Sequence, residues 1–332
     1  MKHLIVMNHG AFIGNTQERL VIQEGDERRE FALNRLRTLT IARSGVSISG
    51  SLLLRCAMHG IRVFILDSRH HLVVELAGAS QHAVVQLRKK QFGYLDSRNC
   101  IDAMRRIVHA KIRNQRAVLL YFAKYMAQHE PSQGKALQEI AGQMQALAVT
   151  LRAPGAADTT EVMRAEYMGY EGRAAALYWQ ALRRSELLPP GFTGRSGRGA
   201  TDAANQALNL GYAILQTFVW NALANAGLEV YAGILHTDRA GKPSLVLDVM
   251  ESLRPWVVDR AIIKLRQRLG QQEQLNRDLS QAVVASVHDT FHRKYIYRKK
   301  RLRLETILQR QAYRLAGEFC NQQVYKPYLF RW

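Results

Sequence analysis

The first eighty residues set short apolar runs between Gly, Asn and Asp turns, a pattern of strands rather than helices. Leu4-Ile5-Val6-Met7, Leu20-Val21-Ile22, Phe31-Ala32-Leu33 and Leu36-Arg37-Thr38-Leu39-Thr40-Ile41 are four such runs. Ser47-Ile48-Ser49 then marks a helix start, and Leu52 to His59 carry that helix to a stop at Gly60. Val63-Phe64-Ile65-Leu66 and Leu72-Val73-Val74-Glu75-Leu76 predict two further strands around an Asp67-Ser68 turn. Ala77-Gly78-Ala79-Ser80 reads as a linker. From there apolar positions recur at helical spacing and predict helices over 81–127, 135–152, 159–184, 202–226, 244–269, 279–298 and 300–319. The expected fold class is α+β in two domains. Residues 1–80 form a small β-rich domain, sandwich-like with one inserted helix, and residues 81–332 form a larger all-α domain. One Gly- and Pro-rich stretch, 188–199, carries Arg195 and Arg198 and predicts either a basic loop that orders on ligand binding or a plain surface linker.

Composition changes the picture in one respect. The chain has 47 Lys and Arg against 27 Asp and Glu, a net charge of +20. A globular chain with that imbalance points to a polyanionic partner, nucleic acid first, then an anionic membrane or a ribosome. Apolar residues make up 47% of the 332, enough for substantial cores. Cys56, Cys100 and Cys320 are odd in number and far apart, which excludes a disulfide framework and a cysteine zinc site and leaves small core residues in a reducing compartment. Met1-Lys2-His3 leads straight into a strand-like run, so no leader is expected, and no stretch is long and apolar enough to span a bilayer. A soluble, cytoplasmic protein is the expectation.

Candidate chemistry concentrates near His236. A helix starting near Pro243 places Asp248, Glu251 and Arg254 on one stripe at i, i+3 and i+6, while Leu245, Val246, Val249, Met250 and Leu253 read as core. A histidine with carboxylates suits Mg²⁺ or Mn²⁺, and the lack of cysteines disfavours structural zinc. Arg254 can grip a phosphate oxygen in bidentate fashion. The plain alternative is a surface histidine beside a helix whose acids are merely solvated. A third ligand must come from elsewhere, and Glu171 is the candidate, near the start of an alanine-rich helix whose small side chains allow close packing. There the helix dipole alone would also favour a glutamate. Toward the C-terminus, 292–303 interleaves basic residues with Tyr295 and Tyr297. That pattern fits a surface tracking a phosphate backbone, or a solvated helix face. The candidate DNA contacts are Lys242, Arg254, Arg195, Arg198, Arg293, Lys294, Arg298 and Lys299.

An ordered set of blocks then resembles a known family. Glu171-Gly172 with Ala174-Ala175 and Tyr178-Trp179, Asn205, and Asn209 to Leu215 come first. Ala226-Gly227-Leu228, Gly233 to His236, Pro243-Ser244-Leu245, Leu247-Asp248 and Glu251 follow. Together they are similar to the CRISPR-associated spacer-acquisition integrases, the adaptation endonucleases of CRISPR systems. Gly45 to Ser49 and Gly60 to Asp67 resemble that family's β-domain. The resemblance implies a homodimer, an N-terminal β-domain that contributes to dimerisation, a helical catalytic domain, and a small ferredoxin-like partner protein. It puts Glu171, His236 and Glu251 on metal-ligand positions, with Glu251 where some members carry aspartate. Asp248 falls on a further acidic catalytic position, and Asn205 and Tyr212 on positions lining the site. The implied reaction is metal-dependent joining of the 3′-hydroxyl ends of short DNA duplexes to the repeat boundary of a CRISPR array. A transposon-type integrase, a branched-DNA repair nuclease of the same fold, and a non-catalytic nucleic-acid scaffold stay open as alternatives.

Overall fold

In a computed structural model describing residues 2–79, 84–197 and 199–331, the alternating N-terminal segments pair into two four-stranded sheets. The strands are β1 (Lys2–Val6), β2 (Phe12–Thr16), β3 (Arg19–Glu24), β4 (Glu27–Ala32), β5 (Leu36–Ile41), β6 (Ser47–Ile48), β7 (Arg62–Leu66) and β8 (Leu72–Leu76). Helix α1 (Gly50–Met58) lies between β6 and β7. One sheet has the order β1-β5-β7-β8 and the other β4-β3-β2-β6. Strands β1, β5 and β7 are parallel, with Leu39 opposite both Leu4 and Val63. Inward-facing Val6, Ile13, Leu20, Ile22, Leu39 and Val63 come from both sheets and share one core with Leu52 of α1. That shared core makes the unit sandwich-like, as the alternation implies. Strands β2 and β6 fall outside the predicted runs, because Gly14 and Asn15 interrupt the alternation in β2. Ser47 and Ile48 extend along β2, and the helix begins only after Ser49, whose hydroxyl accepts from Leu52 N–H at 3.2 Å.

The chain divides into compact units through residue 83 and from residue 84. The second is built of α2 (Val85–Leu95), α3 (Asn99–His129), α4 (Pro131–Val149), α5 (Thr160–Arg184), α6 (Ala203–Asn225), α7 (Ser244–Glu251), α8 (Arg260–Lys264), α9 (Arg266–Gly270), α10 (Arg277–His292) and α11 (Leu304–Phe319). A π-helical turn, Pro255–Asp259, joins α7 to α8. Four predicted helices need correction, the 300–319 segment among them, since its first four residues are strand and its helix starts at Leu304. The 81–127 segment breaks at residues 96–98, and the 244–269 segment breaks before Pro255, which cannot continue an α-helix without losing a hydrogen bond. The 279–298 segment ends at His292 and gives way to an antiparallel hairpin, β9 (Lys294–Tyr297) and β10 (Lys300–Arg303), so the unit is not wholly α. Among the described residues no helix is long and apolar enough to cross a membrane.

Two helices organise the second unit. Helix α3 spans 31 residues and packs against α4, α5 and α7. Its fully buried Asn114 donates to Ser252 O at 2.6 Å and Tyr328 O at 2.9 Å and accepts from Phe330 N–H at 2.9 Å, tying α7's end and the C-terminal segment to one point. Helix α6 is buried on nearly every face. Its Ala and Gly content permits that, because small residues let neighbouring backbones approach.

Candidate functional site

The site is assembled around a buried carboxylate. Asp248, in the middle of α7, is 1% exposed and accepts backbone N–H groups from Ile234 at 2.5 Å, Leu235 at 2.9 Å and His236 at 3.0 Å. Its Oδ1 also lies 2.6 Å from His236 Nδ1. The loop before α7 is thus wound onto one side chain. Gly233 makes the winding possible, since a Cβ there would lie 2.5 Å from His236 O and 2.6 Å from Ser244 Cβ. With Asp248 accepting, His236 carries a proton on Nδ1, and Nε2 is the ring nitrogen left for a ligand. Asp248, expected as a further catalytic acid, instead fixes the histidine's tautomer and orientation.

One turn further along α7, Glu251 is 4% exposed and is met by two cations. Arg254 Nη1 lies 3.3 Å from Oε1, and Lys111 Nζ of α3 lies 2.5 Å from Oε2. Lys111 is thus the partner of Oε2, in a close ion pair. Burial pushes the Glu251 carboxyl up, but Arg254, Lys111 and His236 overcome it and hold it down at about 2. Lys111 also bonds Glu171 Oε1 on α5. Burial opposes its charge, yet Glu251 and Glu171 raise its pKa above the ordinary lysine value. Glu171 stands mid-way along α5 rather than near a helix start, so its place owes nothing to a helix dipole.

Glu171 and Glu251 therefore come together from two helices, with the histidine loop next to the second. They do not form a ready cage. Among the described residues no group of three or more His, Cys, Asp or Glu side chains stands close enough to hold a metal, and Lys111's ammonium lies between the glutamates. The donor types nevertheless fit a hard divalent ion: two carboxylates, one with a buried oxygen whose partner is the Lys111 ammonium, and an imidazole with Nδ1 already engaged. A cation already sits where both carboxylates converge.

Beyond Arg254 the network continues to a second buried acid. The Arg254 and Arg195 guanidiniums lie 5.0 Å and 5.2 Å from the Tyr212 ring centroid. Tyr212 OH donates to Asp259 Oδ1 at 2.5 Å and Tyr178 OH to Oδ2 at 3.1 Å. Burial lifts the Asp259 carboxyl to about 6 against the opposing pull of both phenols.

The other predicted residues divide. Arg195 is no free loop residue: it donates to Asn205 Oδ1 at 3.0 Å and Asn209 Oδ1 at 2.6 Å, so the basic stretch is pinned to α6 there. Asn205 is buried and also holds Gly194 O and Ser196 N–H, which makes it a loop staple rather than a wall of the site. Lys242 is half-buried in the turn before α7. Arg293, Lys294, Arg298 and Lys299 are exposed at and beside the β9–β10 hairpin. Arg198 lies outside the described residues. Sequence reasoning passed over Lys111 and Asp259. Lys111 had a signal, because it interrupts the apolar stripe of Met104, Ile107, Val108 and Val118 on α3 with a charge.

Comparison with known proteins identifies the family and the fold. The model of the family described as "CRISPR associated protein Cas1" matches residues 4–296. A "CRISPR-associated endonuclease Cas1 1" of Francisella tularensis subsp. novicida (strain U112) is 43% identical over 336 residues, covering 100% of both chains. Among solved structures, a casposase bound to integration product superposes with a TM-score of 0.79 at 19% identity, over 100% of this chain and 95% of that one. A chain of a Cas6-RT-Cas1–Cas2 complex gives 0.75 at 23% identity, over 99% of this chain and 36% of that longer one. These two likenesses establish the shared fold.

Proposed function

The chain belongs to the CRISPR-associated Cas1 family, and from that premise we propose that it is a divalent-metal-dependent DNA endonuclease and integrase of CRISPR adaptation. It joins the 3′-hydroxyl ends of short DNA duplexes to the repeat boundary of an array. The observation that carries this reading is the convergence of Glu171 and Glu251 on one cation, with an Asp248-anchored histidine beside Glu251. Glu171, Glu251 and His236 Nε2 would hold Mg²⁺ or Mn²⁺, which when bound supplies Lewis-acid polarisation of a phosphoryl oxygen.

The chain's own residues do the positioning. Asp248 holds the imidazole through Nδ1 and so aims Nε2. Arg254, charged and anchored by Glu251, presents a fixed guanidinium for a phosphate, and Lys242 stands in the turn leading into α7. In the joining step the attacking 3′-hydroxyl gives up its proton and its oxygen forms a new P–O bond as the old P–O bond breaks, and the departing 3′-oxygen takes up a proton, so the proton count is unchanged. One phosphodiester replaces another, so the step is close to thermoneutral and reversible. The Francisella relative named as an endonuclease supports nuclease chemistry, and the casposase bound to integration product supports joining. The chain from the Cas1–Cas2 complex supports assembly with a small partner protein, which we expect to be ferredoxin-like and to bridge homodimers of this chain in a prokaryotic cytoplasm.

Glu171→Ala and His236→Ala should each abolish strand transfer into a repeat-bearing plasmid while duplex affinity, measured in chelator, stays within about twofold, since neither residue belongs to the basic surface. Full joining activity in both variants would overturn the assignment.

A further inference from the structure

We propose that Lys111 is a tethered counter-ion for the metal site, occupying the two carboxylates until a divalent ion displaces it and thereby weakening metal affinity. The inference rests on the divalent-ion reading above. Glu171 and Glu251 are brought within reach of one ammonium, and two carboxylates that close repel each other unless a cation lies between them. Lys111 provides that cation from within the chain. Its backbone is fixed, because Ala110 and Ile112 on either side are buried and Asn114, one turn on, ties α3 to Ser252, Tyr328 and Phe330. Only the four-carbon stem can swing, and a point charge on a flexible stem is suited to leaving. Arg254 is unsuited to that role. Its guanidinium is packed over Tyr212 and it reaches Glu251 through the other oxygen, Oε1, so it can stay while Lys111 goes.

Two consequences follow for the same residue. The folded chain without metal keeps its paired acids neutralised, and the bound ion meets competition from an ammonium of like sign. Removing that ammonium should therefore tighten metal binding and at the same time make folding depend on metal. Neither effect is expected of a lysine that only fills space.

Mn²⁺ titration of the full-length protein, read by the electron-paramagnetic-resonance signal of free Mn²⁺, tests the proposal alongside melting temperature in chelator and in Mn²⁺. Lys111→Met should bind Mn²⁺ roughly tenfold or more tightly than the parent, the order expected for removing one nearby like charge. Its melting temperature should fall in chelator and recover in Mn²⁺ by more than the parent's does. Lys111→Arg, which keeps the charge, should show no tightening. If Lys111→Met fails to fold in chelator, Lys111→Gln, which can still hydrogen-bond a glutamate, is titrated in its place. Unchanged or weaker Mn²⁺ binding in a folded neutral variant would overturn the proposal with the metal site intact. Parent protein that binds no Mn²⁺, with Glu171→Gln likewise silent, would remove the metal-site premise itself.

Discussion

Asp259 is a carboxylate enclosed by two phenols, and its burial outweighs their hydrogen bonds, leaving the folded-state pKa at about 6. The unfolded value is about 3.9. The native state therefore binds the extra proton between these values. The stabilisation is fully present below about pH 4 and is lost as pH rises through about 6, an effect of about 3 kcal/mol for two pKa units. Asn cannot titrate, yet its amide can accept from one phenol and donate to the other. Urea unfolding of Asp259→Asn should thus show its stability relative to the parent improving by about 3 kcal/mol between pH 4 and pH 7.5. A difference independent of pH would mean that Asp259 stays ionised throughout. At this scale the sequence was readable where a polar residue sat in a pattern of neighbours. Asp248, Glu251 and His236 fall within sixteen residues and share one turn and helix. Lys111 and Asp259 act through partners distant in sequence, and a lone charge on a helix does not announce which acid or phenol it will meet.

Helix α6 and the π-helical turn pack closely next to the Tyr212–Asp259 pair. A Cβ added at Gly211 would lie 2.5 Å from Val258 Cγ1, and Val258 is branched at Cβ and cannot swing aside. Helix propensity favours alanine at an interior glycine by about 1 kcal/mol, but overpacking costs about 1–3 kcal/mol, so the clash decides the sign. Gly211→Ala should be destabilising in chemical denaturation. A cycle with Val258→Ala should return a favourable coupling of about 1 kcal/mol or more, because shortening the valine removes the conflict. Additive effects would mean that the two elements relax apart. Helix spacing made the long elements plain: α5 and α6 lie within a residue or two of their predicted spans, since sustained 3.6-residue periodicity is a strong signal. The β9–β10 hairpin escaped because its turn lacks the usual marker. Arg298 and Lys299 both take positive φ, +50° and +65°, positions that Asn and Gly normally fill, so a basic run passed for the face of a helix.

Over the whole molecule the charge is unevenly divided. Residues through 83 carry 10 Lys and Arg against 7 Asp and Glu, leaving 37 against 20 for the second unit. Composition alone pointed to a polyanion, and the division into units puts most of the excess on the one that also holds Glu171, His236 and Glu251. The basic residues at the hairpin, Arg293, Lys294, Arg298 and Lys299, are all exposed. A phosphate backbone lying across them would release condensed counterions, and that release makes affinity depend on salt rather than on base sequence. Duplex affinity in chelator, where no divalent ion competes for phosphates, should fall roughly 10³-fold or more between about 50 and about 200 mM salt. Reversing Arg298 and Lys299 to Glu should lower affinity for every duplex alike and reduce the slope of log affinity against log salt by roughly 1 for each phosphate no longer neutralised. Fluorescence anisotropy on two unrelated duplexes measures both quantities. A slope unchanged by the reversals would move the DNA path off the hairpin, and a parent affinity indifferent to salt would separate the positive charge from DNA binding altogether.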